Sequence, residues 1–189
     1  MASETLRRTS ARERLLAAAD ELFYENGFNL VGIDRVIERA GVAKASLYDC
    51  FGSKEELIRA YLKGRADKRE ARIVERMATL ETPQEKILGV FDLLAEIVSL
   101  ADYRGCAFQR ASAEAGASSV IKGTCDESRA WLRTQFTELA RQAKAADPEL
   151  LGQQLVFLYD GAALAASVDG DRNAPRAAKA LAARIIRGG

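Results

Sequence analysis

Residues 40–54 constrain this chain more than any other stretch, because they read as two short helices joined by a glycine turn. Gly41 stands where a tight turn between helices needs a positive φ, which glycine adopts without the clash of a Cβ atom. Val42, Leu47 and Phe51 then fall on one face of the second helix. This face is apolar and is expected to pack on the protein.

The other face of that helix carries small and polar side chains. They are Lys44, Ala45, Ser46, Tyr48 and Asp49. A DNA-binding helix-turn-helix needs this division, because its second helix packs with one face and enters a DNA groove with the other. The stretch therefore predicts a recognition motif over residues 32–51, and the alternative is a purely structural helical hairpin.

The residue types exclude much enzyme chemistry. The 189 residues include no histidine, which removes Ser-His and Cys-His nucleophile pairs and imidazole metal ligands. We therefore expect no catalytic residue, no metal and no cofactor, and keep a small helical enzyme only as an alternative. The 28 basic and 27 acidic residues give a net charge of +1, so any basic patch must be local.

Cysteine usage and the absence of long apolar segments predict a cytoplasmic protein. Cys50, Cys106 and Cys125 are odd in number and widely spaced, unlike a disulfide framework or a zinc site. The first residues are charged rather than apolar, so no secretory signal is expected. The sequence contains no run of about 18 apolar residues, which a membrane-spanning helix would need. We therefore expect no membrane partner.

Apolar spacing and helix-start signals predict an all-α fold of about nine helices. Capping boxes at Ser10–Glu13, Ser53–Glu56 and Thr82–Glu85 mark three of the helix starts. The first four helices form a head over residues 9–69. The remaining helices form a body over residues 70–189, which is expected to bind an effector and to dimerise.

Several residues of the head have the identities and the spacing that are typical of a known family. Residues 9–69 resemble the DNA-binding domain of the TetR family of bacterial transcriptional regulators. The residues that carry the resemblance are Leu22-Phe23 followed by Gly27-Phe28, Ala40-Gly41-Val42, Leu47-Tyr48 followed by Phe51, and Ser53-Lys54-Glu55 followed by Leu57.

This resemblance implies a ligand-responsive homodimer, expected to be a repressor that a small molecule releases from a palindromic double-stranded DNA operator. It implies that the polar face of the second helix meets the major groove and its phosphates, and that Lys54 holds a phosphate at a helix N-terminus. Three residues depart from the pattern. Val31 replaces a threonine cap, Asp49 brings a carboxylate near phosphate or a cytosine amine, and Cys50 replaces a histidine or tyrosine.

Arginines before and within the first helix predict a further DNA contact. Arg7, Arg8, Arg12 and Arg14 could form an arm that reaches phosphates or a minor groove. The alternative is a solvated start of the chain. Arg12 is the member that we assign to the DNA-binding surface.

Apolar side chains of the body predict a ligand pocket, since such pockets are mostly apolar with a few polar groups. The candidates are Phe91, Leu94, Phe108, Trp131 and Phe136. Each could instead be ordinary core. Glu96 and Glu114 could hold a cationic or hydroxylated ligand, or could simply be solvated.

The last two helices predict the dimer interface, because they are rich in alanine and little chain remains to cover them. The residues that we assign to it are Leu151, Leu155, Leu158, Ala162, Leu181 and Ile185. If this face were core within one chain, the protein could be monomeric. A regulator that senses oxidation through Cys50, without a small-molecule effector, is a further alternative.

Overall fold

The computed structural model describes residues 10–188, and within that range the chain forms nine α-helices and no strand. The helices are α1 Ala11–Asn26, α2 Ile33–Ala40, α3 Lys44–Phe51, α4 Lys54–Ala78, α5 Pro83–Ser99, α6 Ala107–Glu114, α7 Ser119–Gln142, α8 Pro148–Val168 and α9 Ala174–Gly188. The predicted all-α class is confirmed. Arg7, Arg8 and the predicted first residue of the head lie outside the described residues.

Local side-chain caps start several of these helices. Ser10 and Glu13 form the predicted capping box of α1, and Thr82 and Glu85 form that of α5. At α4 only half of the box forms, since Ser53 Oγ accepts the Glu56 amide while the Glu56 carboxylate pairs with Arg59. A nearby guanidinium competes successfully for this exposed carboxylate.

The first hydrophobic core joins α1–α4 to a later part of the chain. Its fully buried members include Leu15, Leu47 and Leu57 from the head. It also contains residues of α6, the following loop and the start of α7, namely Ala111, Ala115, Ile121 and Cys125. By packing, α6 therefore belongs with the head, although the division at residue 69 assigns it to the body.

The second core is built by α5, α7, α8 and α9 with the far end of α4. Phe91 stacks on Phe136 with their ring centroids 5.9 Å apart, and the Tyr159 ring meets Phe91 edge-on. The helices α7 and α8 approach closely at Gly152, where an added Cβ atom would lie 3.0 Å from the backbone nitrogen of Thr137. The body is thus closely packed at this crossing.

The helix α4 connects the two cores. Leu57, Ile58 and Tyr61 near its start lie in the first core, whereas Ile73 near its end lies in the second. Among residues 10–188, no helix has both the length and the apolar character that crossing a membrane requires.

Candidate nucleic-acid interface and ligand cavity

The helix-turn-helix is held by a left-handed glycine and a buried leucine. Gly41 has a φ of 62°, and its amide donates to carbonyls of the last turn of α2. The helix α3 follows after two residues, and Leu47 on its inner face is fully buried in the first core. The geometry fixes which face of α3 turns to solvent.

That outer face presents most of the residues assigned to it from the sequence. Lys44, Ala45 and Asp49 are exposed, and Tyr48 has 46% of its surface exposed. Ser46 is half-buried, because it lies at the edge where α3 turns towards the protein. In the unbound protein Lys44 Nζ pairs with Asp34 Oδ1 at 3.1 Å, a contact between exposed groups that phosphate can replace.

Lys54 is the first residue of α4 and is half-buried. Burial lowers the pKa of its ammonium group, and the carboxylate of Glu114 opposes this shift. The next residue, Glu55, accepts a hydrogen bond from Ser118 before α7. The start of α4 is therefore held against the α6–α7 connection, with Lys54 beside α3 in the chain.

Two arginines of α1 lie against the helix-turn-helix. The Arg12 guanidinium lies 5.2 Å from the centroid of the Phe51 ring at the end of α3. Arg14 Nη1 donates to the Gly41 carbonyl at 3.2 Å and so braces the turn. The structure thus places Arg12 next to the recognition helix, while Arg14 stabilises the turn between α2 and α3.

The residues that depart from the family pattern have different surroundings. Val31 is fully buried, and the cap position of α2 is Gly32, which supplies no side-chain acceptor. Cys50 is half-buried and packs against the first core rather than on the outer face. Asp49 alone of the three is exposed on the surface predicted to meet DNA.

A cavity of about 300 Å³ opens where α1, α4, α5, α6 and α8 meet. Its apolar lining includes Leu94 and Ile97 of α5 and Phe108 of α6. Its polar lining consists of Asp20, Tyr24, Arg65, Lys68, Arg69, Arg72, Asp102, Tyr103 and Tyr159. The cavity therefore touches both the head and the body.

Only two of the predicted pocket residues, Leu94 and Phe108, line this cavity. The structure corrects the prediction for Phe91 and Phe136, which are fully buried because they stack on each other in the second core. Trp131 is partly buried and packs against that core from outside the cavity lining.

The acidic groups predicted to hold a ligand are also engaged elsewhere. Glu96 pairs with Arg76 at 2.7 Å. Glu114 accepts the backbone amide of Asn29 at 3.0 Å and so joins α6 to the α1–α2 loop. Neither carboxylate lines the cavity.

The sequence reasoning missed a basic strip along α4 on the cavity wall. Arg65, Lys68, Arg69 and Arg72 all line it. Their spacing places them on one helix face, and this pattern could have been found in the sequence. We call these four residues the basic strip.

Tyrosines connect the cavity to the α5–α6 connection and to α8. Tyr24 of α1 donates to the Gly105 carbonyl at 3.2 Å and accepts the Arg104 amide at 3.0 Å. Tyr103 donates to the Ala163 carbonyl of α8 at 3.1 Å. Burial raises the pKa of Tyr159 to about 12.

The outer surface of α8 corrects the predicted dimer residues. Leu151, Leu155 and Ala162 are buried in the core of the protomer, because they face α7 and α9. A different stripe of α8 is exposed at helical spacing, consisting of Leu150, Gln154, Phe157, Gly161, Leu164 and Val168. We call it the α8 stripe.

Residues of α9 and one side of α8 flank this stripe. Leu181 is exposed, whereas Leu158 and Ile185 are half-buried against the second core. Leu181 and Ile185 line a groove between the start of α8 and the end of α9, together with Leu150 and Gln154 of the stripe. The two helices thus present one continuous surface.

The surroundings of half-buried Cys106 and buried Cys125 do not favour oxidation chemistry. Burial raises the pKa of the Cys106 and Cys125 thiols, which disfavours the reactive thiolate. All three cysteines are free thiols.

Comparison with known proteins identifies the head. Residues 15–61 match the family model described as bacterial regulatory proteins, tetR family. The transcriptional activator FasR of Mycolicibacterium smegmatis is 30% identical over 93 residues, which cover 49% of this chain and 42% of that protein. The repressor KstR2 of Mycobacterium tuberculosis is 33% identical over 82 residues, which cover 43% of this chain and 41% of that protein. The matched parts thus span less than half of these relatives.

Solved structures match along nearly the whole chain. A TetR-type transcriptional regulator from Streptomyces avermitilis is 30% identical, with a TM-score of 0.82 and coverage of 92% of this chain and 98% of that one. A TetR-family regulator from Streptomyces coelicolor is 31% identical, with a TM-score of 0.82 and coverage of 94% and 93%. The similarity therefore includes the body as well as the head.

Proposed function

The chain belongs to the TetR family of bacterial DNA-binding transcriptional regulators, and from this premise we propose that it is a dimeric repressor which a small molecule releases from a palindromic operator. The observation that carries the proposal is the outer face of α3. It combines exposed Lys44, Tyr48 and Asp49 with a fully buried Leu47 behind them. A helix held in this way can enter a major groove without disturbing the core.

The DNA contacts of α3 and of the start of α4 divide into two kinds in this proposal. Lys44 and Lys54 supply positive charge for phosphates, which positions the protein on DNA but reads no sequence. Tyr48 and Asp49 supply groups that can meet base edges, and a carboxylate can accept from the cytosine amine. Arg12 adds charge beside α3.

The exposed surface of α8 and α9 supports a dimer. Phe157 has 56% of its surface exposed and Val168 has 72%, and both lie on the α8 stripe with Gly161 between them. Two copies of this stripe can pack closely at the glycine, as helices do where small residues meet. A two-fold dimer places its recognition helices about one DNA turn apart, which is the basis for a palindromic operator.

The cavity supports release by a ligand. It is lined by Asp20 and Tyr24 of α1 as well as by helices of the body. A ligand that fits one arrangement of head and body better than another shifts the population towards that arrangement. By linkage, such a ligand must bind less tightly to the DNA complex than to the free protein.

Repression is the direction of control that we infer. The relatives named above include one activator and one repressor, so similarity alone gives both directions. Binding across a promoter blocks transcription without any further contact surface. A reporter gene placed behind the operator distinguishes the two, because deleting the regulator raises expression under repression and lowers it under activation.

Replacing Lys44 with alanine should weaken operator binding and its dependence on salt. An operator is first selected from randomised duplex DNA, and it should be a palindrome. Removal of one lysine–phosphate ion pair reduces the salt slope by about 1, so the variant dimer, which lacks two, should show a slope reduced by about 2. Anisotropy titrations at several salt concentrations measure both effects.

The matched control is Lys86→Ala, which removes a half-exposed lysine of α5 next to Ile87 of the second core. It should leave both the affinity and the salt slope unchanged. Equal slopes for Lys44→Ala and the parent protein would contradict the docking of α3, as would a selected site without two-fold symmetry.

A further inference from the structure

The charge of the cavity lining is unbalanced. The basic strip places four cationic side chains on one wall, and only Asp20 and Asp102 among the lining residues are acidic. Charged groups in a partly enclosed site act on each other and on a ligand more strongly than they do in water. The lining therefore favours a ligand with negative charge.

The rest of the lining is largely apolar. Leu94, Ile97 and Leu100 come from α5 and the residue that follows it, and Phe108 and Ala163 come from α6 and α8. The volume of about 300 Å³ corresponds to about ten water molecules at about 30 Å³ each. A small ligand with an apolar body and one charged end would match these two parts of the lining.

Arg69 has unused hydrogen-bonding capacity. Its Nη2 donates to the Ser128 carbonyl at 2.6 Å and to Ser128 Oγ at 2.9 Å, and its guanidinium lies 4.9 Å from the Phe108 ring centroid. Its Nε is buried without an acceptor among residues 10–188. The nearby Asp160 carboxylate interacts with this guanidinium through its charge, but its ion pair is with Arg129, at 2.8 Å.

Arg65 connects the strip to α1. Its Nε donates to Asp20 Oδ1 at 2.7 Å, and its guanidinium lies 3.7 Å from the centroid of the Tyr24 ring. Lys68 lies 4.0 Å from the other oxygen of Asp20. Asp20 thus already acts as an anion on the basic strip, and it belongs to the head.

We propose that the effector is a small amphipathic anion whose acidic group binds the basic strip and competes with Asp20 for Arg65. This inference rests on the proposed function, because it names the ligand class for the same cavity. The apolar body of the ligand lies against α5 and Phe108, and its acidic group accepts hydrogen bonds from Arg69 and Arg65. Bidentate guanidinium contacts of this kind are strong and directional.

The competition explains how such a ligand would reach the head. Asp20 and Tyr24 hold α1 to α4 through the Arg65 guanidinium. When Arg65 turns to the ligand, Asp20 and Tyr24 lose this contact with α4, and α1 can shift against α4 within the head. A neutral ligand of the same shape does not draw Arg65 away.

Matched ligands that differ only in charge test the proposal. Octanoate, octanamide and octylamine form one series, and phenylpropanoate, its amide and phenylpropylamine form another. Calorimetric titration of the full chain without DNA should show that each acid binds at least about tenfold more tightly than its amide or amine. Hydrogen bonds to charged groups contribute differences of this size.

Two variants locate the acidic group. Arg69→Gln should weaken binding of the acid at least about tenfold, while the exposed Arg133→Gln on α7 should leave it unchanged. Asp20→Asn removes the competing carboxylate and should strengthen binding of the acid about twofold to fivefold. A loss in Arg69→Gln that is equal for acid and amide would reflect altered packing and would overturn the assignment.

The other outcomes also decide the question. Tighter binding of the amines, equal binding within each series, or no binding of either acid would overturn the anionic assignment. Operator binding is measured without any ligand, so it can succeed when this proposal fails. If the unliganded chain did not bind an operator, this would instead contradict the proposed function.

Discussion

Replacing Phe157 with glutamate should convert the proposed dimer to monomers. Phe157 is exposed in the single chain, so a carboxylate there is tolerated by the fold but would be buried without a partner between two α8 stripes. Burying a phenylalanine contributes about 1.5–3 kcal/mol, and two-fold symmetry removes it twice. The dissociation constant of the dimer should therefore rise about a hundredfold to ten-thousandfold.

Sedimentation equilibrium measures this change, and operator binding should fall with it because two linked heads bind a palindrome far better than one. Val74→Glu is the matched control, since Val74 is also about half exposed but lies on α4. An unchanged dimer in Phe157→Glu would show that the interface lies elsewhere on the chain. Circular dichroism should give the same helix content for both variants.

Replacing Gly152 with alanine should destabilise the body strongly. A Cβ atom at this position overlaps Thr137 Oγ1 and lies 3.0 Å from the Thr137 nitrogen and Cα atoms of α7. Thr137 is buried, so the helices must separate to accommodate the methyl group. Overpacking of this kind costs about 1–3 kcal/mol, and the expected loss is near the upper end because backbone atoms are involved.

Thermal unfolding at a fixed protein concentration measures this effect, and Tm should fall by about 5–10 °C. Gly123→Ala in α7 is the control, since a Cβ atom there meets nothing within 4 Å. That variant should gain about 0.5–1 kcal/mol from the helix preference of alanine. A Gly152→Ala protein as stable as Gly123→Ala would contradict the close contact between α7 and α8.

The features predicted well from the sequence are those that a few neighbouring residues determine. The capping boxes at Ser10 and Thr82, and the left-handed turn at Gly41, each depend on contacts within about four residues. The residues that carry the resemblance to the TetR family likewise all lie within one continuous segment, 22–57. These elements would form the same local contacts in many different packings of the body.

The features predicted wrongly depend on which face of a helix meets another helix. The helix α8 is apolar around most of its circumference, so Leu155 and Phe157 look equally suited to an interface in the sequence. Only the position of α7 shows that Leu155 is buried in the protomer and Phe157 is not. For the same reason the sequence does not show that Leu94 lines the cavity while Phe91, in the same core, does not.

The basic strip was missed for a different reason. Charged residues at helical spacing usually lie on a solvated face, and α4 is also rich in acidic residues. Arg65 and Arg69 face inward only because α1 and α6 pack beside that part of α4. A charged cavity wall between two units is therefore difficult to recognise before the units are placed together.

The sharing of the first core between α1–α4 and α6 has a consequence for chimeric regulators. A chimera joined at residue 69 would set a foreign head against Ala111, Ala115 and Ile121, which pack in one core with the head of this chain. It would also lack the hydrogen bond from Asn29 to Glu114. A transplant that keeps this core intact must therefore carry residues 107–125 with the head, as a graft made of two separate pieces of chain.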